Sequence, residues 1–304
     1  MKGIIAAAGR VRTPARPGPG AVTAESLEAL ELAIARRVDG LLAGDYRSAV
    51  TGLGSELQQV RPYEPGDDVR RIEWNVTART GVTHVRVELA ERVLVTWLVF
   101  DASASMDFGT AERRKADVAE GVALAIGHAA TRRGNRLGLV TFGPEDARWR
   151  RPRQGRRGLL LTLSALRNEP SGQGSLGDAL ALVDGLAIQR SLVVIVSDFR
   201  GPIDWRNPLL RIAGRHPTLA VEVRDPREQE LADVGELRLV DPETGRQLRV
   251  DTSDRKLRER FAHAADEERR GLVRILNAAG VRHVALSTQG DWLRELAAFL
   301  KRSN

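Results

Sequence analysis

Val93-Leu94-Val95-Thr96-Trp97-Leu98-Val99-Phe100-Asp101-Ala102-Ser103-Ala104-Ser105-Met106 is the stretch on which the fold turns. Its first part, Val93 to Phe100, is a continuous β run rather than an alternating one. That is the pattern of a strand buried on both faces, as in a parallel sheet covered by helices on either side. The second part changes character at once: Asp101, Ser103 and Ser105 alternate with alanines in a small, polar turn. In an open parallel sheet, ligands bind just beyond the carboxyl ends of the strands, near the point where the strand order switches.

Downstream, helical and strand patterns alternate. A helix is expected at Ala111 to Arg133, with Val118, Val122, Ala125, Ile126 and Ala129 on one face, followed by a strand at Leu137 to Phe142. Arg148 to Arg153 reads as an edge strand, Gly158 to Arg167 and Leu176 to Leu186 as helices, and Leu192 to Ser197 as a second buried strand. A helix near Trp205 to Ala213 and a strand at Leu219 to Val223 come next. Glu236 to Val240 and Gln247 to Val250 flank the turn Asp241-Pro242-Glu243-Thr244-Gly245 as a hairpin. Asp254 caps a long helix stopped by Gly280, and Val281 to Leu286 and Asp291 to Leu300 supply a last strand and helix. Repeated β–α alternation predicts an α/β fold with a doubly wound, mostly parallel, Rossmann-like sheet.

Upstream the pattern differs. Residues 1–22, rich in Gly, Pro, Ala and Arg, read as a disordered tail. Thr23 to Leu42 reads as a helix, and residues 45–92 as an extended or β segment ending in the alternating strand Val82 to Leu89. The expected division is therefore a tail at 1–22, a small helix-plus-β subdomain at 23–92, and the α/β domain at 93–304 with a hairpin insertion at about 227–252.

Composition narrows the function classes. The 304 residues hold 47 basic and 40 acidic side chains, a net charge of +7, five histidines without ligand spacing and no cysteine. That excludes disulfides, thiolate metal sites and cysteine nucleophiles. The basic residues are 43 Arg and 4 Lys, a bias that reads as compositional rather than as a mark of nucleic-acid binding. Residues 1–24 carry +4 and residues 148–157 carry +6, leaving −3 for the rest. No apolar run approaches the ~20 residues needed to span a bilayer, and nothing at the N-terminus reads as a signal peptide, so a cytoplasmic protein is expected. No phosphate-binding Gly-x-x-x-x-Gly-Lys stretch and no Gly-x-Ser-x-Gly elbow occurs.

The chemistry lies in the residues just past each buried strand. Asp101, Ser103 and Ser105 come after the first, Ser197 and Asp198 end the other, and Gly174-Ser175 opens the helix between them. Carboxylates and hydroxyls at one sheet end are the all-oxygen set that hard cations such as Mg²⁺ or Mn²⁺ prefer. Asp-x-Ser-x-Ser, a hydroxyl about 74 residues on and an Asp about 97 residues on resemble a von Willebrand factor A domain and its metal-ion-dependent adhesion site. More specifically, the chain resembles a bacterial von Willebrand factor A-like family, domain of unknown function fifty-eight, over about Gly44 to Lys301. The matching stretches are Val60-Arg61-Pro62-Tyr63-Glu64-Pro65-Gly66-Asp67-Asp68-Val69-Arg70-Arg71-Ile72-Glu73-Trp74, Thr77-Ala78-Arg79, Asp225-Pro226-Arg227-Glu228 and Asp241-Pro242-Glu243-Thr244-Gly245. The resemblance implies a binding module rather than an enzyme, acting with a MoxR-type AAA+ ATPase on a client protein in assembly or maturation of complexes. It also implies Asp101, Ser103, Ser105, Ser175 and Asp198 as metal ligands. Ser175 stands where the family has threonine; it keeps the hydroxyl and loses the methyl that restricts χ1.

Two other clusters have competing readings. Asp67, Asp68, Arg70 and Arg71 are either a turn leading into a strand that locks the small subdomain, or a partner surface. Arg148, Arg150, Arg151, Arg153, Arg156 and Arg157 are either a charged edge that resists aggregation, or a docking surface for an acidic partner. Nucleic acid is the lesser candidate there, since no aromatic-interleaved platform accompanies the arginines. A metal-dependent phosphoesterase using Asp101 and Asp198 is the enzymatic alternative; no general base accompanies the pair.

Overall fold

The computed structural model describes residues 18–19, 57–88, 94–132, 134–143, 146–167, 174–240 and 247–302. Nearly all of the tail, the helix expected at 23–42 and the turn at 241–245 lie outside the described residues. The chain divides into two compact units, one of Met1–Val38 with Leu94–Asn304, the other Asp39–Val93.

In the smaller unit, β1 (Leu57–Pro62) pairs antiparallel with β2 (His84–Glu88). Between them lie a turn, a short 3-10 turn at Val69–Arg71 and helix α1 (Trp74–Thr80). The sequence pattern predicts a strand after Pro65-Gly66-Asp67-Asp68; a helix stands there instead. Residues 74–80 do not alternate, and Gly81, at φ 70, supplies the left-handed stop that ends a helix. Asp67 is committed to the turn itself. Its carboxylate takes Arg61 at 2.6 and 2.8 Å and the Glu64 N–H at 2.8 Å. Asp68 accepts from the Arg70 N–H and caps the 3-10 turn.

The larger unit is built on a six-stranded sheet. Its elements, in chain order, are β3 (Val95–Asp101), α2 (Lys115–Arg132), β4 (Arg136–Phe142), β5 (Arg148–Gln154), α3 (Gly155–Arg167), α4 (Leu176–Leu186) and β6 (Leu192–Ser197). Next come α5 (Arg206–Arg215), β7 (Thr218–Arg224), the hairpin β8 (Glu236–Val240) and β9 (Gln247–Asp251), α6 (Arg255–Ala278), β10 (Arg282–Ser287) and α7 (Trp292–Lys301). The strand order is β10-β7-β6-β3-β4-β5, all parallel except the edge strand β5. The chain moves outward from β3 through β4 to β5, then returns to lay β6 on the other side of β3. The switch in direction therefore falls between β3 and β6, whose carboxyl ends carry Asp101 and Asp198.

Both central strands are buried along their whole length, as continuous apolar runs require. Val95, Trp97 and Val99 share one core with Ile195 of β6, Leu180 of α4, Leu209 and Ile212 of α5 and Leu276 of α6. By the two-residue period of a strand, Leu98 faces the opposite layer, where Val118, Val122 and Ile126 of α2 are buried. Helix α2 starts at Lys115 rather than near residue 111 because the preceding segment is held elsewhere. Thr110 donates its N–H and hydroxyl to Asp225, at 2.7 and 2.5 Å, and Asp117 accepts from the Arg114 N–H to open the helix. This late start puts Lys115 in the first turn, fully buried.

Candidate functional site

Four of the five expected ligands converge where β3 and β6 end. Asp101 accepts from the Ser103 N–H at 2.9 Å and, through its other oxygen, from the Ser197 hydroxyl at 2.5 Å. The Ser103 and Ser105 hydroxyls lie 3.0 Å apart, and Ser105 donates to Asp198 at 2.7 Å. Asp101, Ser105 and Asp198 are buried, while Ser103 is only half-buried and opens the cluster to solvent. The alternating spacing explains the convergence. Ser103 is extended at φ −65 and ψ 160 and precedes a 3-10 turn at Ala104–Asp107, so the chain folds back and both hydroxyls reach one side.

Ser175 is placed differently. Its hydroxyl caps α4 by accepting from the N–H groups of Gly177, at 2.9 Å, and Asp178, and it donates to Asp204. These bonds use the hydroxyl as an N-cap. The start of α4 nevertheless lies beside the Ser103 turn: Gly174 N–H donates to Gly143 O at 2.9 Å, and Gly143 lies against the Ala102–Ser103 peptide. Only glycine fits there. Its φ is 124, and a Cβ would sit 2.5 Å from the Ala102 carbonyl carbon.

The two carboxylates differ sharply in their surroundings. Asp198 meets a buried ammonium: Lys115 Nζ lies 2.6 Å from Asp198 Oδ2 and 2.6 Å from Glu228 Oε1. Burial would raise the Asp198 carboxyl, but the charge and hydrogen bond of Lys115, with the Arg200 N–H and Ser105, hold it below the usual carboxylate range. Asp101 has no ion-pair partner among the described residues. Burial first, and the neighbouring charge of Asp198 second, push its carboxyl up to about 7, against the hydrogen bonds from Ser103 and Ser197. Lys115 stays charged: burial disfavours the ammonium, yet Asp198 and Glu228 outweigh it and raise it above its ordinary value.

Sequence reasoning does not single out Lys115 or Arg200, nor what Ser197 and Glu228 do. Glu228 is placed by the Asp225-Pro226-Arg227-Glu228 stretch, a capping box in which Asp225 N–H donates back to Glu228 at 3.1 Å and Arg227 N–H donates to Asp225 at 2.9 Å. One signal for Lys115 is legible: it is one of 4 lysines in a chain with 43 arginines. A compact ammonium on a slim stem fits a closed pocket that a planar guanidinium would not. Next to Asp198, Phe199 holds a φ of 54, rare for an aromatic residue. It is retained by its N–H to Ser197 Oγ and by Trp205, edge-on at 5.8 Å.

The donor chemistry fits a hard divalent cation. Asp101, Ser103 and Ser105 offer only oxygen, and Asp101 is a buried carboxylate that lacks a counter-charge among the described residues. Among the described residues, no group of three or more His, Cys, Asp or Glu is placed to hold a metal, so hydroxyls must share in any such site.

The arginine cluster lies apart, on β5 and the start of α3. All of β5 except Pro152 is exposed, and Arg156 and Arg157 are exposed too. The strand is antiparallel to β4 with a register shift opposite Leu137 to Leu139. Charge, proline and bulge together are devices that discourage edge-to-edge pairing.

A mostly parallel sheet whose central strand ends in Asp-x-Ser-x-Ser, with Asp198 across the switch point, defines a doubly wound, Rossmann-like α/β domain. The family described as "Protein of unknown function DUF58" matches residues 59–271, and the chain belongs to it. It is 43% identical over 281 residues to "Uncharacterized protein Mb1516" of Mycobacterium bovis and, equally, to "Uncharacterized protein Rv1480" of Mycobacterium tuberculosis, covering 91% of this chain and 88% of each relative. Solved structures with similar folds include the conserved hypothetical protein BatB from Bacteroides thetaiotaomicron, with a TM-score of 0.46 and 13% identity over 69% of this chain and 98% of that one. The SpRpn10 VWA domain gives a TM-score of 0.39 and 16% identity over 67% and 93%. Among the described residues, no helix is long and apolar enough to cross a membrane.

Proposed function

We propose that this protein is a non-enzymatic interaction module that presents a divalent cation, Mg²⁺ or Mn²⁺, to a carboxylate of a partner protein. The partner we assign is a MoxR-type AAA+ ATPase working on a client protein during complex assembly or maturation. The observation that carries the cation is Asp101: a buried carboxylate without an ionic partner among the described residues, flanked by the Ser103 and Ser105 hydroxyls, of which Ser103 opens towards solvent. Asp101, Ser103 and Ser105 would hold the ion, with Ser197 and the Ser103 N–H orienting Asp101. The ion supplies electrostatic attraction for the partner's carboxylate, and no bond is broken. A hydrolytic role is disfavoured because both oxygens of Asp198 are committed, to Lys115 and Ser105 on one side and the Arg200 N–H on the other, leaving no free base.

The test is capture of the chain by a MoxR-type ATPase with Mg²⁺, with EDTA, and with Asp101→Ala. Capture lost in the last two conditions supports the proposal, and equal capture in all three removes the cation from it.

A further inference from the structure

Lys115 gives the site a property of its own. Its side chain is completely buried, and its ammonium contacts one oxygen of Asp198 and one of Glu228 at equal distance. The Phe108 ring lies 5.9 Å away and closes the pocket further. Arg200 Nε stands 3.7 Å from the same Glu228 oxygen, partly exposed, and meets Asp198 only through its backbone N–H. Counted by sign, Lys115 and Arg200 balance Asp198 and Glu228. Asp101, beside Asp198, has no counter-charge among the described residues.

We infer that Lys115 is a tethered cation that takes up Asp198, so that a divalent ion at this site is held from the Asp101 side alone. This rests on the cation reading above. A charge buried in a low-dielectric pocket must be paired or it destabilises the fold. In a site with two free aspartates, a mobile ion has to meet both. Here one of the two is satisfied permanently by the chain itself, and the ion is left with a single negative charge and hydroxyl oxygens. Lysine thus lowers the site's hold on the metal while keeping the metal-free fold stable. It acts through Asp198, as a positioning residue.

The experiment uses the full chain and Mn²⁺ alone as the probe. Lys115→Met with Glu228→Gln removes one charge of each sign and leaves Asp198 without its ammonium partner; adding Asp198→Asn removes the Asp198 charge as well. In EDTA the double variant should melt roughly 10 °C below wild type, as for a broken buried ion pair. The triple variant should regain at least half of that drop. A triple variant no more stable than the double overturns the inference, whatever the metal does. In Mn²⁺ titrations followed by electron paramagnetic resonance, the double variant should bind about tenfold tighter than wild type or better, because Asp198 becomes available. Wild-type binding that this variant leaves unchanged or weakens overturns the inference while the cation reading stands. Binding by the double variant but not by wild type supports the inference and removes the cation from the native function. Binding by neither overturns both.

Discussion

Asp101→Asn should make the metal-free protein more stable at pH 8, although it alters the residue at the centre of the site. In the fold the Asp101 carboxyl is pushed up to about 7 from an ordinary 3.8. An acid whose folded value is raised favours the native state when protonated. Its contribution is complete below about pH 4 and is lost as pH rises through about 7. The gap of about 3, at about 1.4 kcal/mol for each, sets a ceiling of about 4 kcal/mol lost by pH 8. Asparagine keeps an oxygen for the Ser103 N–H and carries no charge, so the variant should escape the loss. His216 acts with the opposite sign. Burial holds it below its ordinary 6.5, so it costs stability as pH falls, but it is present in both proteins and cancels in their difference. The assay is urea unfolding of both proteins in EDTA between pH 5 and 8. The stability of Asp101→Asn minus that of wild type should grow with pH, and adding Mg²⁺ at pH 8 should close the gap by stabilising wild type alone. A difference that is flat across this range would refute the reasoning, because Asp101 would then carry no buried, uncompensated charge.

Ile195→Ala, at a fully buried position of β6, should cost about 2–5 kcal/mol, read as a lower urea midpoint with an unchanged slope. Gly143→Ala places a Cβ against the Ala102 carbonyl carbon at φ 124, so it should destabilise by roughly 1–3 kcal/mol or more and weaken Mn²⁺ binding by displacing the Ser103 turn. Reversing Arg150, Arg151 and Arg153 to Glu should lower the salt needed to elute the protein from a poly-glutamate column, with stability moving by no more than about 0.5 kcal/mol per exposed site. Unchanged elution would leave those arginines with edge protection only. A shift on a DNA column but not on poly-glutamate would favour the nucleic-acid reading.

Much of the fold is legible because the two central strands are apolar without interruption, and only burial on both faces makes that pattern stable. The strand order is less so. Nothing local to Leu192–Ser197 says that it lies beside β3 rather than β4. The helix at Trp74–Thr80 reads as a strand because it is a single short element with no buried face to impose a period. In the site, Asp101, Ser103 and Ser105 can be grouped from spacing alone, since one turn holds all three. Ser175 cannot be oriented that way, because its direction depends on Asp204, which reaches it from another helix connection.

The sequence by itself determined the α/β class, the polar turns that follow the two buried strands, and the all-oxygen character of the side chains there. These are properties of local pattern and residue type. Only the tertiary structure decided how the charges are shared. Lys115 meets Asp198 across 83 residues and Glu228 across 113, and that closed pocket makes one aspartate a satisfied ion and leaves the other without a counter-charge. Desolvation and pairing depend on what surrounds a group in three dimensions, so two aspartates that look equivalent in the sequence have opposite electrostatic fates in the fold.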